Sequence, residues 1–237
     1  MKTNTISIFI SILSLVVLAS CDKDGICKRG SGAVERREIY LSEITSIDVE
    51  GNATLYITQG EEQKIEVETN KNLFSVINHR VKNGEWDAKF DHCVRKGKLT
   101  FYVTLKNIHE LEVSGSGKII GETQIKSDKL KVSVEGSGEV KLQIETRELE
   151  SDVEGSGNIT LSGTTSGHRA EVEGSGKIQA YDLISRSADI KIEGSGKALI
   201  NVEDNLSVKI SGSGDVIYKG NPKVNSKISG SGKVSAY

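Results

Sequence analysis

The triplet Gly-Ser-Gly recurs seven times in the second half of the chain, starting at Gly115, Gly136, Gly155, Gly174, Gly194, Gly212 and Gly230. The intervals are 21, 19, 19, 20, 18 and 18 residues. A period near twenty marks a repeat architecture, in which each unit buries its apolar side only by stacking on its neighbours. A lysine follows several triplets, as in VEGSGKI at Val172–Ile178, and this raises the question of a phosphate cradle. A Walker loop needs glycine five positions before the glycine-lysine pair and serine or threonine after the lysine. Those places hold Glu171 and Ile178 here, and Glu112 and Ile119 around Gly117. The third glycine of a dinucleotide-binding turn is also missing. A nucleotide site needs one such loop, and the repeat holds seven of these triplets.

The flanks carry the positive signal. In LKVSVEGSGEVKLQI, one set of alternate residues is Leu130, Val132, Val134, Gly136, Gly138, Val140, Leu142 and Ile144. The other set is Lys131, Ser133, Glu135, Ser137, Glu139, Lys141 and Gln143. Strict alternation means extended chain with one buried face. The glycines keep the apolar register, so both are expected to point inward at a narrow bend, with the serine outward. Coils of about twenty residues then stack at ~4.8 Å, and seven of them make a rod roughly 30 Å long. The expected fold is all-β: a single-stranded, right-handed parallel β-helix, the hand following parallel crossovers generally. Aromatic residues make up only 5% of the chain beside 25 glycines, which suits thin stacked aliphatic layers.

The first half is a degenerate version of the same pattern. Ile47, Val49, Gly51, Ala53, Leu55 and Ile57 share one face, with Gly51 and Ala53 standing where the glycine pair stands later. The 64 residues from Gly51 to Gly115 correspond to about three later coils. Leu99, Phe101, Val103 and Leu105 alternate again. The stretch Asn70–Asp91 holds Phe74, Trp86 and Phe90, so bulkier, irregular coils are expected there as an N-terminal cap. Only NLFSVINHRV, from Asn72, is ambiguous between helix and strand.

The chain opens with Met1-Lys2 and the apolar run Ile6–Leu18, which has the length of a signal peptide and is short for a membrane span. Leu18-Ala19-Ser20-Cys21 follows and looks like a bacterial lipobox. Residues 1–20 are therefore expected to be a lipoprotein signal peptide, with Cys21 lipidated and holding the protein on a membrane. The charged, aperiodic stretch 21–38 reads as a flexible tether. Cys27 and Cys93 remain, and an oxidising envelope permits but does not compel a bridge between them. The remaining boundaries are 39–110 for the irregular part and 111–237 for the regular solenoid.

Three segments together resemble the putative auto-transporter adhesin, head GIN domain family. They are ITSIDVEGNATLYITQGEEQKIEVETN at 44–70, KLTFYVTLKNIHELEVSGSGKI at 98–119, and the recurrent corners after them. The resemblance runs from about residue 40 to the end. It implies a β-helical envelope lipoprotein. The acidic residues just behind Cys21 resemble surface-export signals of some Gram-negative lipoproteins, so the expected place is the outer membrane, with the periplasmic and the cell-surface face both open. It supplies no catalytic residues.

Stacking should place the outward residues in columns. Glu135, Glu154, Glu173 and Glu193 form one, and they are the candidate ligand-facing ladder. Like charges at strand spacing repel, so splayed side chains, neighbouring lysines or a bound cation must relieve them. Structural calcium fits poorly, because only Asp215 directly follows a triplet, and no metal site is expected. The four histidines, His79, His92, His109 and His168, have no mutual ligand spacing and read as structural or surface residues. Trp86 reads as a core or cap residue. A carbohydrate-active β-helix, lyase- or hydrolase-like, is the alternative function. It needs a singular carboxylate cluster and, usually, sugar platforms, whereas the regular half has only Tyr181, Tyr218 and Tyr237 as aromatics. The net charge of −2 gives no footprint for nucleic acid. The expectation is a non-enzymatic adhesion, binding or structural module without a cofactor. Its partners would be the membrane, through the lipid, and a glycan or protein ligand. The last repeat reaches Tyr237, where an exposed coil edge invites pairing with another subunit or a partner.

Overall fold

A computed structural model describes residues 27–237. The expected signal peptide, Cys21 and the first residues of the expected tether lie outside the described residues.

Short strands make up the N-terminal part: β1 (Lys28–Arg29), β2 (Val34–Ile39), β3 (Ser46–Gly51), β4 (Thr54–Gln59), β5 (Lys64–Asn70), β6 (Val81–Lys82), β7 (Glu85–Ala88), β8 (Val94–Arg95), β9 (Leu99–Leu105) and β10 (Glu110–Gly115). Long, bending strands follow, one for each of the first five intervals between triplets: β11 (Lys118–Gly136), β12 (Glu139–Gly155), β13 (Asn158–Gly174), β14 (Lys177–Gly194) and β15 (Lys197–Gly212). The C-terminal end is made of β16 (Asp215–Lys219), β17 (Lys223–Gly230) and β18 (Lys233–Ala236), with β18 stacked on β16. Successive coils pair in parallel, and the stack is a β-solenoid of about seven turns.

Register is kept by inward columns. Val113, Val134, Val153, Val172, Ile192 and Ile210 stack directly, as do Ile119, Val140, Ile159, Ile178, Ala198 and Val216. All are buried. Each such aliphatic side chain contributes roughly 1.5–3 kcal/mol on burial, and a slip of one residue would turn a whole column to solvent.

The two glycines of a triplet differ, which corrects the expectation that both point inward. The second is buried in every triplet from Gly117 to Gly214, and the first is exposed or half-buried. At Gly155 φ is +108°, and an added Cβ would lie 2.6 Å from the carbonyl oxygen of Gly136 in the preceding coil. That oxygen accepts the Ser156 N–H at 2.8 Å. The first glycine thus turns the corner and lets one coil sit on the next. Gly157 faces inward, where a Cβ would come 2.4 Å from Val134 Cγ1.

Gly51 pairs directly with Gly115, so β3 and β10 are neighbours despite their separation in sequence. The intervening chain is not three regular coils. It leaves after β4, runs through β5, a 3-10 turn at Lys71–Val76 and the β6–β7 hairpin, and returns along β9. β7 pairs parallel to β3, and β9 pairs parallel to β4. Residues 85–105 therefore supply the terminal coil on the far side of β3 and β4. The bulky cap expected from the sequence is this coil. Trp86 is fully buried with Phe101 edge-on at 5.0 Å, and its Nε1 donates to the Asn78 carbonyl at 3.0 Å.

Residues 27–38, expected within the tether, are part of the folded unit. Cys27 is bonded to Cys93, β1 pairs with β8, and β2 lies antiparallel to β5. Arg36 sits 3.6 Å over the Tyr102 ring, which stacks on Tyr56.

Candidate ligand-facing surface

The face that precedes each triplet presents two outward columns. Next to the glycine stand Glu135, Glu154, Glu173 and Glu193, directly stacked and all exposed. Serines continue this column at both ends, Ser114 before it and Ser211 and Ser229 after it. Two residues upstream runs a second column that the sequence reading did not single out: Asp87, Asp48, Glu112, Ser133, Asp152, Glu171, Lys191, Lys209 and Lys227. Its character changes along the rod, acidic toward the cap and basic toward the C-terminal coil. Aligning the triplets and reading position minus three would have revealed it.

Crowding and partial burial act on these carboxyls. Asp48 is pushed up to about 7, chiefly by burial and then by the neighbouring charge of Glu112. Its Oδ2 accepts from Ser114 Oγ at 3.1 Å, while Oδ1 is buried without a partner. Burial, followed by Glu150, pushes Asp152 up to about 6, and burial also raises Glu112. Glu173 is raised, first by its hydrogen bond with Glu171. Lysines relieve the rest. Lys191 bridges Glu171 and Glu193 and holds Glu193 below the usual carboxylate range. Lys131 pairs with Glu110 at 2.7 Å, and Lys89 with Glu50 and Asp87. Among the described residues, no group of three or more His, Cys, Asp or Glu side chains is placed to hold a metal ion.

His168 is buried within the solenoid, in an inward column with Leu130, Leu149, Ala188 and Leu206. Its Nε2 lies 2.8 Å from Ser151 Oγ, and its Nδ1 has no partner. Burial pushes the imidazole down to about 4, so the ring is neutral at physiological pH. A serine and histidine sealed from substrate, with no carboxylate on Nδ1, lack the features of a nucleophilic pair. At this corner runs a groove of about 480 Å³ across five coils, flanked by Lys129, Glu150, Arg169, Asp189 and Asn205.

These features define a class: a disulfide-clamped, capped parallel β-solenoid with charged outward columns. The family described as "Putative auto-transporter adhesin, head GIN domain" matches residues 43–222, and the chain belongs to it. No curated protein is significantly similar in sequence. Among solved structures, a putative adhesin of Bacteroides fragilis is 22% identical with a TM-score of 0.83, the match covering 88% of this chain and 99% of that one. A putative adhesin of Parabacteroides distasonis is 24% identical with a TM-score of 0.75, covering 89% and 99%. A protein called a putative lipid binding protein, also from Parabacteroides distasonis, is 26% identical with a TM-score of 0.74, covering 88% and 98%.

Proposed function

We propose that this chain is a non-enzymatic adhesion or binding module of the cell envelope, anchored through lipidated Cys21 in the outer membrane, with its solenoid displayed at the surface. The observation that carries the reading is the stacked outward ladder Glu135–Glu154–Glu173–Glu193 in a chain that belongs to an adhesin-head family. A rigid column of equivalent polar groups suits many weak contacts with a glycan or protein, which add up through multivalency. The carbohydrate-active alternative calls for one irregular coil with free carboxylates. The irregular coils here lie in the cap, where Glu66, Glu68 and Asp91 are taken up by Arg36, Lys98 and Arg80.

Surface labelling of intact cells by an antibody to the solenoid tests the reading. Label is expected on cells carrying the unmodified chain and to be lost from the cell surface for Cys21→Ala. If label appears only after the outer membrane is broken, display at the surface is refuted and adhesion with it.

A further inference from the structure

The C-terminal coil has a surface of a different kind. β17 pairs with β15 on one side, and none of the described residues pairs with its other side. β18 pairs only with β16. Every residue of β17 is exposed, and the inward-register side chains Val224 and Ile228 remain 37% and 41% exposed. Beneath them Leu206, Val208 and Ile210 are fully packed, so β17 covers the core and is itself uncovered. From Val216 to Tyr237 the sequence holds Lys219, Lys223, Lys227 and Lys233 and no Asp or Glu. None of these lysines makes an ion pair among the described residues, whereas Lys191 deeper in the same column as Lys227 makes two.

An unpaired strand edge with exposed aliphatic side chains attracts a further strand. Edge lysines also select what that strand can be, because two copies meeting edge to edge would bring lysine against lysine. The geometry points to the β17 edge as a docking site for an acidic, extended segment of another polypeptide, added as one more parallel coil strand. Register defines its pattern. Apolar residues would stack on Val224 and Ile228, with carboxylates over Lys223 and Lys227. The sequence leaves another subunit or a partner open at this edge, and the lysines favour the partner. The inference does not depend on how the chain is anchored.

The solenoid contains the pattern. Glu148-Leu149-Glu150-Ser151-Asp152-Val153-Glu154-Gly155 occupies the same column positions three coils before β15, with Glu148 and Asp152 in the columns of Lys223 and Lys227. A synthetic peptide of this sequence is therefore the probe, added to the isotopically labelled chain and followed by NMR. Amide shifts confined to residues 223–236 are expected, with affinity at least tenfold above that of a peptide carrying lysine at the two acidic register positions. Charge reversal by Lys223→Glu with Lys227→Glu should invert the preference between the two peptides. Equal binding of both peptides, or no inversion, overturns the proposal. So does concentration-dependent dimerisation of the unmodified chain through this edge, which would make a second copy the occupant. Lysine-dependent binding to phosphatidylglycerol vesicles without peptide discrimination also overturns it, in favour of a lipid surface.

Discussion

Replacing one glycine of a triplet by alanine tests the account of the corner. In Gly155→Ala the new methyl meets the Gly136 carbonyl oxygen at 2.6 Å, with φ held at +108°. Both obstacles are backbone, so neither can rotate away. Strain at such a φ costs about 1–3 kcal/mol, overpacking costs a similar amount, and the stiffer unfolded chain returns about 0.4–1 kcal/mol. The net expectation is a loss of about 2–4 kcal/mol. In Gly157→Ala the main obstacle is Val134 Cγ1 at 2.4 Å, a side-chain atom, with the Gly138 oxygen at 2.9 Å. A loss of about 1–3 kcal/mol is expected from overpacking, and Val134→Ala should reduce it, because the two sites share one volume. Gly167→Ala is the internal control. The nearest atom to its added methyl is the Arg147 carbonyl oxygen at 4.0 Å, so the change should be neutral or stabilise by about 0.4–1 kcal/mol. Urea unfolding is the assay, followed by circular dichroism for the coils and by the fluorescence of Trp86 for the cap, since a repeat fold need not unfold as one unit. If Gly155→Ala unfolds at the same urea concentration as Gly167→Ala, the corner is not where the glycines are needed. If Val134→Ala does not soften Gly157→Ala, the inward contact is wrong.

Two further outcomes follow from the clamp and the buried imidazole. Opening the Cys27–Cys93 bond, by reduction or by Cys93→Ser, frees a loop spanning 66 residues and should cost up to about 4 kcal/mol on the chain-entropy account, seen first in the Trp86 signal. His168 sits at about 4 when folded against 6.5 ordinarily. The unfolded chain therefore binds its proton first, and stability falls as pH drops from about 6.5 to 4, by ~3 kcal/mol at the end of that window. Asp48 and Asp152 have the opposite sign, because the folded state binds their protons first as pH falls. A His168→Leu, Ser151→Ala double variant isolates the imidazole by removing both polar partners together, and should flatten the acid-side decline in urea titrations across pH. An unchanged slope refutes the assignment.

The regular coils were legible because two independent periods agreed: alternation along each strand and the recurrence of the triplets. That agreement also supported the direct stacking of Glu135, Glu154, Glu173 and Glu193, since the small differences in coil length are taken up by register shifts away from the triplets. Alternation alone could not separate the two glycines of a triplet, because a glycine has no side chain to assign to a face. At Gly155 a left-handed φ departs from the extended pattern. The cap was legible in composition but not in path. Trp86 and Phe101 belong to a coil that lies outside β3 and β4 while following them in sequence, and no local signal encodes that reversal. The stretch from Cys27 to Glu38 read as a tether because its ties, Cys93 and β5, are remote in sequence and tell nothing locally. The upstream column with Asp48 and Asp152 stands one alternation further from the triplet, and its mix of acid, serine and lysine gives no uniform repeat along the sequence.

The coils repeat in register while the chain's specialised contacts sit at the two ends. Trp86, the Cys27–Cys93 clamp and β2 engage only the cap, and the uncovered edge belongs to the last coil. Every coil between Gly115 and Gly212 offers its neighbour the same corner and the same aliphatic columns. Adding or deleting a whole coil therefore moves one end relative to the other by ~4.8 Å and leaves both ends unchanged. The molecule is in that sense a ruler graduated in coils, and its reach can be reset by duplication or loss of about twenty residues without a new core having to be invented.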